Sequence, residues 1–561
     1  MRHAIAALAG ILIATGNGAA FAQESTASAS QEQPVATNRA QPREFMLAMR
    51  DEVELAADVY LPEGDGPFPT VLIRTPYGKQ NLFASSGGQA LVDNGYAVVV
   101  QDVRGKGNSK GYYAAFVNDI EDGYDTVEGV AAMPWSNGRI GMTGASAMGI
   151  TTTLAAIGRP PHLEAGFVIV APNESFRTSF IGGVPKDRDT IGWLTRQGVS
   201  PEVVDRAIQA NVRSVFTERA GPGPLITYAD IPIWHVGGWY DIFNTGTVEN
   251  FVRLQHEGTG EARGNQRLTM GPFGHGELSG DLAYPGADDL RATMTGEGGD
   301  LMRWFDHWLK DIDNGVTDEA PVEVYMMGAA RKGALSDRNR WIEAGDWPLA
   351  YRSVRYYLGK DRTLSRDRPA DRNAAITYRF DPENPVQTYG GANLVFERGP
   401  QDQRQVGERQ DYLRFQTAPL EEDVAIAGPV TAELWVSTDG PDTDFEAKLI
   451  DVYPDGYEAL LLDAPIRTRF RNGFMPDEVA MMEPGAPVKV TIDMWPIAQT
   501  FEKGHRIALH VTSSNSPRFT VNNNNGATPA SSGEPRVARN TIHLDEGHPS
   551  ALVLPVVYLD D

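Results

Sequence analysis

Ser146 carries the first chemical signal, because of what surrounds it. Arg139-Ile140-Gly141-Met142-Thr143-Gly144-Ala145 reads as a strand running into a Gly-flanked serine, and a helix follows. A serine on so tight a strand-to-helix turn projects its hydroxyl above the sheet edge. The motif is G-x-S-x-x-G, with Met148 where the common elbow has glycine. A serine hydroxyl is a weak nucleophile at neutral pH and needs an adjacent base. In the α/β-hydrolase arrangement the chain order is Ser, then Asp or Glu, then His. His162, His235, His256, His275 and His307 satisfy that order. His162 follows Pro160-Pro161 on a loop, His235 lies inside a strand pattern, and His256 sits late in a helical stretch. His307 borders the apolar stripe of an amphipathic helix. His275 differs from these, because it ends the strand Met270-Gly271-Pro272-Phe273-Gly274 in a Gly-rich loop. Ligands bind at that end of parallel strands. By the same logic Val236-Gly237-Gly238-Trp239-Tyr240 is a strand that delivers Asp241 to the edge, to orient an imidazole or cap the next helix. Ser146, Asp241 and His275 are therefore the expected nucleophile, acid and base of acyl transfer.

Acyl transfer also requires donors aimed at the developing oxyanion. The backbone N–H of Ala147 is one. The loop Arg74-Thr75-Pro76-Tyr77-Gly78-Lys79, just past an early strand, supplies the second from its backbone or from the Tyr77 hydroxyl.

The elements that must position these groups alternate. Glu54–Tyr60, Thr70–Ile73 and Tyr96–Val100 read as strands, the latter two apolar enough to be buried on both faces of a parallel sheet. Asp119 to Val130 reads as a helix with an acidic first turn. Alternating strand and helix signals indicate an α/β core over residues 42–174 and 229–347. Residues 175–228 interrupt it as a helical cap, with Ser200-Pro201-Glu202 as a helix start. Leu301, Trp304, Phe305, Trp308, Leu309 and Ile312 form an apolar stripe at helical spacing, read as core. After about Pro348 the period changes to two, as in Thr431–Val436 and Arg506–Val511, and residues 348–561 read as an all-β jelly roll.

Composition narrows the chemistry. There is no cysteine among 561 residues, so disulfides, thiolate metal sites and a cysteine nucleophile are excluded. A formal net charge of -24 argues against nucleic acid or an anionic membrane as partner. Arg2 and His3, the apolar run Ala4–Thr15 and Ala20-Phe21-Ala22 read as a signal peptide over residues 1–22, with the mature chain beginning near Gln23. The expectation is export to a periplasm or the cell exterior, with no membrane span after cleavage. Residues 23–41, rich in Gln, Ser, Ala and Thr, read as a disordered linker.

These motifs together resemble the cocaine-esterase-like (CocE/NonD) hydrolases, which include X-prolyl dipeptidyl aminopeptidases, α-amino-acid ester hydrolases and glutaryl-cephalosporin acylases. Arg74-Thr75-Pro76-Tyr77 is similar to that family's oxyanion-tyrosine segment, Gln101-Asp102-Val103-Arg104-Gly105 to its D-x-R-G turn, and Gly144–Gly149 to its elbow. Gly238–Asp241 and Gly271–His275 match its acid and base segments. Trp304–Leu309, Asp444–Leu449, Asp451–Gly456 and Ser513–Phe519 are also typical of it.

The resemblance implies a helical cap, the Tyr77 hydroxyl plus the Ala147 N–H as oxyanion hole, and no metal or organic cofactor. It also implies a small-molecule ester or amide as substrate. Ala147 departs from the tyrosine usual after the nucleophile. Phe243 and Asn244 stand where amino-ester hydrolases carry carboxylates, which disfavours an α-ammonium substrate. Phe243 resembles the aromatic acyl-pocket residue of cocaine esterases, and Trp193 in the cap joins it under the same resemblance. The rival readings are an X-Pro-type dipeptidyl-peptidase, with a cap carboxylate such as Glu174 holding the amine, and a catalytically inactive glycan-binding protein. The oligomeric state is left open by the sequence.

Overall fold

The computed structural model describes residues 40–85, 87–210, 221–287, 299–331 and 334–558. The expected signal peptide and nearly all of the expected linker lie outside the described residues.

Ten strands form the catalytic sheet. In spatial order they are β1 (Arg43–Ala48), β2 (Glu54–Tyr60), β4 (Ala97–Asp102), β3 (Phe68–Thr75), β5 (Ser136–Ala145), β6 (Leu163–Ile169), β7 (Ile233–Tyr240), β8 (Arg267–Gly274), β9 (Val322–Met326) and β10 (Arg340–Ala344). From β4 to β9 every pairing is parallel, while β1, β2 and β10 are antiparallel additions at the two edges. The sheet is therefore mixed at its edges and parallel where the site lies.

The apolar runs behave as a two-residue period demands. Val71 and Ile73 of β3, with Val98 and Val100 of β4, join one apolar layer, while Leu72 and Val99 join the opposite one. Helices α1 (Asp119–Ala131) and α2 (Ala147–Gly158) cover the second face through Val127, Val130, Ile150 and Leu154. The first face is covered from the far end of the core by a helix at Asp300–Lys310, which buries Leu301, Trp304, Phe305 and Leu309. Each such side chain contributes roughly 1.5–3 kcal/mol of burial. Ile312 does not belong to that stripe. The helix ends at Lys310, Asp311 turns left-handed, and Ile312 is exposed.

The cap is only partly helical. Short helices α3 (Ser175–Ser179), α4 (Gly192–Arg196) and α5 (Pro201–Ala210) are joined by a two-residue hairpin, Phe180–Ile181 with Val184–Pro185, and a π-helical turn at Asp187–Ile191. The Ser200 hydroxyl accepts from the Val203 N–H at 3.4 Å at the start of α5. Core helix α6 (Asn244–Glu257) follows β7, and the Asp300–Lys310 helix is α7.

The C-terminal part is an antiparallel sandwich. One sheet has seven strands, centred on Val424–Thr438, and the other has four, with Asp444–Val452 and Arg506–Thr512 as its inner strands. The sandwich is docked on the catalytic sheet by backbone pairing between Met327 and Ala498–Thr500, and by Asn244 Nδ2 donating to the Pro496 carbonyl at 3.1 Å. It grips the cap hairpin too, where Arg467 and Thr520 N–H groups donate to the carbonyls of Gly182 and Pro185.

Candidate active site

The strand register assembles the site. β5, β6, β7 and β8 are consecutive neighbours in the sheet. Gly274 at the end of β8 pairs with Tyr240 at the end of β7, so Asp241 and His275 emerge one residue beyond the same edge. The β7–β8 register slips between Gly271 and Gly274, a bulge next to the site. Glycine is required on both strands there. A Cβ on Gly271 would lie 2.2 Å from the Phe273 ring, and one on Gly238 would lie 2.3 Å from the Phe273 carbonyl oxygen.

Two strands away, Ser146 lies between β5 and α2 with φ 58° and ψ -121°. A non-glycine residue in that region is strained, and such strain collects at functional sites. The turn is held by Ser146 N–H donating to the Ile169 carbonyl at 2.9 Å. Gly144 allows it, since a Cβ there would sit 2.3 Å from the Met148 Cβ.

The three side chains form one hydrogen-bonded line. Ser146 Oγ lies 2.9 Å from His275 Nε2, and His275 Nδ1 lies 2.8 Å from Asp241 Oδ2. The other carboxylate oxygen of Asp241 accepts from the Phe243 N–H at 2.7 Å. An ionised carboxylate only accepts, so Nδ1 carries the proton and Nε2 is free to accept one from the serine. The relative exposures of Asp241, His275 and Ser146 are 0%, 5% and 8%, so exposure rises toward the nucleophile.

The remaining histidines are committed elsewhere. His162 pairs with Glu128, His256 with Asp346, and His307 packs edge-on against Trp308. His235 is buried in mid-strand beside Gln266.

Tyr77 is held beside the nucleophile by its loop. Its N–H donates to Thr75 Oγ1 at 3.0 Å, and the end of the same loop is fixed by Lys79 N–H donating to Asp102 Oδ1 at 2.7 Å. Asp102 also accepts from Asn108 N–H, so the D-x-R-G turn serves as the brace for this loop. Arg74 is buried against Gln101 and Asp119. The Tyr77 hydroxyl is sealed from solvent close to Ser146 and Trp193, yet makes no well-formed hydrogen bond among the described residues. Burial pushes its phenol above the usual tyrosine range, so the hydroxyl stays protonated and can donate. As the first residue of α2, Ala147 has an N–H with no acceptor inside the helix. Both donors border the same cavity as Ser146.

That cavity, about 100 Å³, is apolar. Phe116, Ile150, Phe180, Ile191, Trp193 and Phe243 contribute to its wall. The Trp193 ring stacks on Phe116 with centroids 5.8 Å apart, and Phe243 stands edge-on to His275 at 5.2 Å. No Asp, Glu, Lys or Arg is among the described residues lining it. Glu174 is not in the wall and lies near Arg177 and Glu249. Most of the wall escaped sequence reasoning, and two of its residues show why. Phe116 sits at φ 68° on a loop with no turn signature, and Leu394 arrives from the C-terminal sandwich. No local pattern could have placed Leu394 there.

Known proteins resemble this chain over most of its length. Residues 51–214 match the X-Pro dipeptidyl-peptidase (S15 family), and residues 314–553 match the X-Pro dipeptidyl-peptidase C-terminal non-catalytic domain. The second match begins before β9 and β10, which pair into the catalytic sheet. A cocaine esterase of Rhodococcus sp. (strain MB1 Bresler) is 31% identical over 91% of this chain and 98% of its own length. A putative serine esterase of Mycobacterium bovis is 24% identical over 91% of this chain and 94% of its own. Among solved structures, an aminopeptidase from a marine sediment Thaumarchaeota archaeon superposes with TM-score 0.80 at 24% identity, covering 96% of this chain and all of that one. An α-amino acid ester hydrolase superposes with TM-score 0.74 at 23% identity, covering 94% of this chain and 98% of that one. These two superpositions speak to the fold.

Proposed function

Because the chain belongs to the cocaine-esterase-like (CocE/NonD), X-Pro dipeptidyl-peptidase family of serine hydrolases, we propose that it cleaves esters of uncharged, apolar acyl groups through an acyl-enzyme on Ser146. The chain is a hydrolase of esters or amides, and the observation that carries the finer reading is the line Asp241–His275–Ser146 opening on a wall with no charged side chain among the described residues. His275 Nε2 takes the Ser146 proton as Oγ attacks the carbonyl carbon. The Tyr77 hydroxyl and the Ala147 N–H donate to the oxyanion of the tetrahedral intermediate. Asp241 holds Nδ1–H and stabilises the imidazolium. His275 then gives its proton to the leaving oxygen or nitrogen. Water, deprotonated by His275, attacks the acyl-enzyme and releases the acid. Phe243 and Trp193 receive the acyl group by burial.

The test is turnover of p-nitrophenyl butyrate and benzoate beside Ala-Pro-p-nitroanilide. The esters should have the higher kcat/KM, and Ser146→Ala should abolish at least about 10⁴-fold of it. Near-native turnover by Ser146→Ala removes the nucleophile assignment. Preference for the dipeptidyl anilide removes the apolar-acyl reading and leaves the serine chemistry standing.

We also infer export, on the strength of the basic start, apolar run and A-x-A site in residues 1–22. A mature N-terminus at Gln23 in expressed protein is the expected result, and an intact Met1 in exported-fraction protein contradicts it.

A further inference from the structure

The loop that carries the base is bare of side chains at both neighbours of His275, and something else fills the space. A Cβ on Gly276 would lie 2.0 Å from Arg398 Nη1, and a Cβ on Gly274 would lie 2.9 Å from Arg398 Cδ. The Arg398 side chain is therefore laid along the backbone on either side of His275. Gly276 has no left-handed φ, so its conformation does not demand glycine, whereas the guanidinium does.

Arg398 comes from the C-terminal sandwich and is tightly seated. Its N–H donates to Ser279 Oγ at 3.1 Å, and its carbonyl accepts from Ser279 N–H at 2.9 Å. These bonds tie it to the same loop four residues beyond His275. Its Nη2 donates to the Leu394 carbonyl at 2.9 Å, which tethers it to a cavity-wall residue. Leu394 and Val395 are pinned from the cap as well, because both N–H groups donate to Asp189 Oδ1, at 2.8 and 3.0 Å. Asp189 is buried with Lys186 at 2.8 Å. Among the described residues Arg398 pairs with no carboxylate. Its contacts are the base loop, Ser279 and the Leu394 carbonyl, so its place is explained by packing on that loop rather than by an ion pair.

We propose that Arg398 is a positioning residue for the base: the segment 394–398 of the C-terminal sandwich presses on the loop that carries His275 and sets the His275–Ser146 geometry, tying it to the cap through Asp189. The role rests on the reading of His275 as the base. It gives the C-terminal part a direct hand in turnover. A loop free to relax by a fraction of an ångström would lengthen the His275–Ser146 contact, and misplacements of that size lower rate steeply.

The experiment is a double-mutant cycle on the full-length mature protein, read as kcat and KM for p-nitrophenyl acetate and butyrate. Arg398→Ala should lower kcat by about tenfold to a hundredfold for both esters, with KM changed by no more than about twofold. Gly276→Ala alone should also lower kcat, because its methyl group must displace the guanidinium. In the Arg398→Ala background Gly276→Ala should cost almost nothing further, since the space is then empty. Losses that multiply, an effect confined to KM, or unchanged kcat in Arg398→Ala each overturn the proposal. Should Arg398→Ala fold poorly by circular dichroism and melting midpoint, Arg398→Lys carries the same cycle, since lysine lacks the Nη1 atom that blocks Gly276 but keeps the stem along Gly274. His275→Ala sets the floor. Retained turnover there removes the base assignment itself, while a dead His275→Ala beside a fully active Arg398→Ala removes only the role of Arg398.

Discussion

His235 and His275 lie on adjacent parallel strands, one in the middle of the sheet and one just past its carboxyl end, and both are buried. Their chemistry differs because their partners do. His235 Nε2 donates to Gln266 Oε1 at 3.2 Å, and its Nδ1 is buried with no partner among the described residues. Gln266 is oriented for this role, since its amide nitrogen already donates to the carbonyls of Ile231 and Ala262. A proton added at Nδ1 would find no acceptor, and burial holds the imidazole neutral, its pKa lowered to about 4. His275 has a carboxylate behind it, a strained serine in front and a cavity beside it. Burial alone therefore does not make a functional histidine. What distinguishes the strand end is an acceptor for the second proton and an open side for a substrate.

Exchanging the two roles gives the largest expected effect. His275→Gln should lose at least about 10⁴-fold in kcat with little change in melting midpoint. His235→Gln should do the reverse, costing about 1–3 kcal/mol of stability while the folded protein keeps its kcat. Equal losses of turnover in both variants would break the distinction. Tyr77→Phe sharpens it at the next level down, because it removes only a donor. The buried hydroxyl lacks a good partner in the free protein, so its loss leaves nothing stranded in the ground state. The expected result is a fall of about 10²–10³ in kcat with stability unchanged. A loss expressed in KM alone would move Tyr77 from the oxyanion to the substrate wall.

The same contrast explains what could be read in advance. The elbow around Ser146 and the strand ends before Asp241 and His275 are local patterns, in which glycine placement and an apolar run are visible in a few consecutive residues. The parallel middle of the sheet was legible because β3 and β4 carry unbroken apolar runs, Val71–Ile73 and Ala97–Val100, that point to both faces. Its antiparallel edges were not, since β1 and β10 are mostly exposed or half-buried and carry no direction signal. The cap hairpin is only two residues per strand and is held by Arg467 and Thr520 from the sandwich, so no periodicity announces it. Ile312 continued the apolar stripe in sequence, but the left-handed Asp311 ends the helix before it. Phe116, Leu394 and Arg398 reach the site through tertiary contact alone. Leu394 and Arg398 are the part of the site assembled between domains, which no local pattern announces.

The smallest expected effect concerns stability against pH, and it belongs to His235. Its folded pKa, about 4, lies below the ordinary 6.5. Between those values the unfolded chain binds the proton and the native protein does not, so stability falls as pH drops through that window. The full loss from this one group is about 3 kcal/mol at pH 4, and none of it is present above pH 7. Other groups titrate over the same range, so the wild-type curve alone is ambiguous, and His235→Gln supplies the reference because glutamine has nothing to protonate. At pH 7 the wild type should melt above the variant. On acidification the two midpoints should converge, the wild type giving up the advantage that its neutral imidazole confers at higher pH. Parallel midpoints from pH 7 to 4 would mean that His235 finds a partner for its second proton, and the mid-sheet histidine would then resemble its neighbour at the strand end more than the geometry indicates.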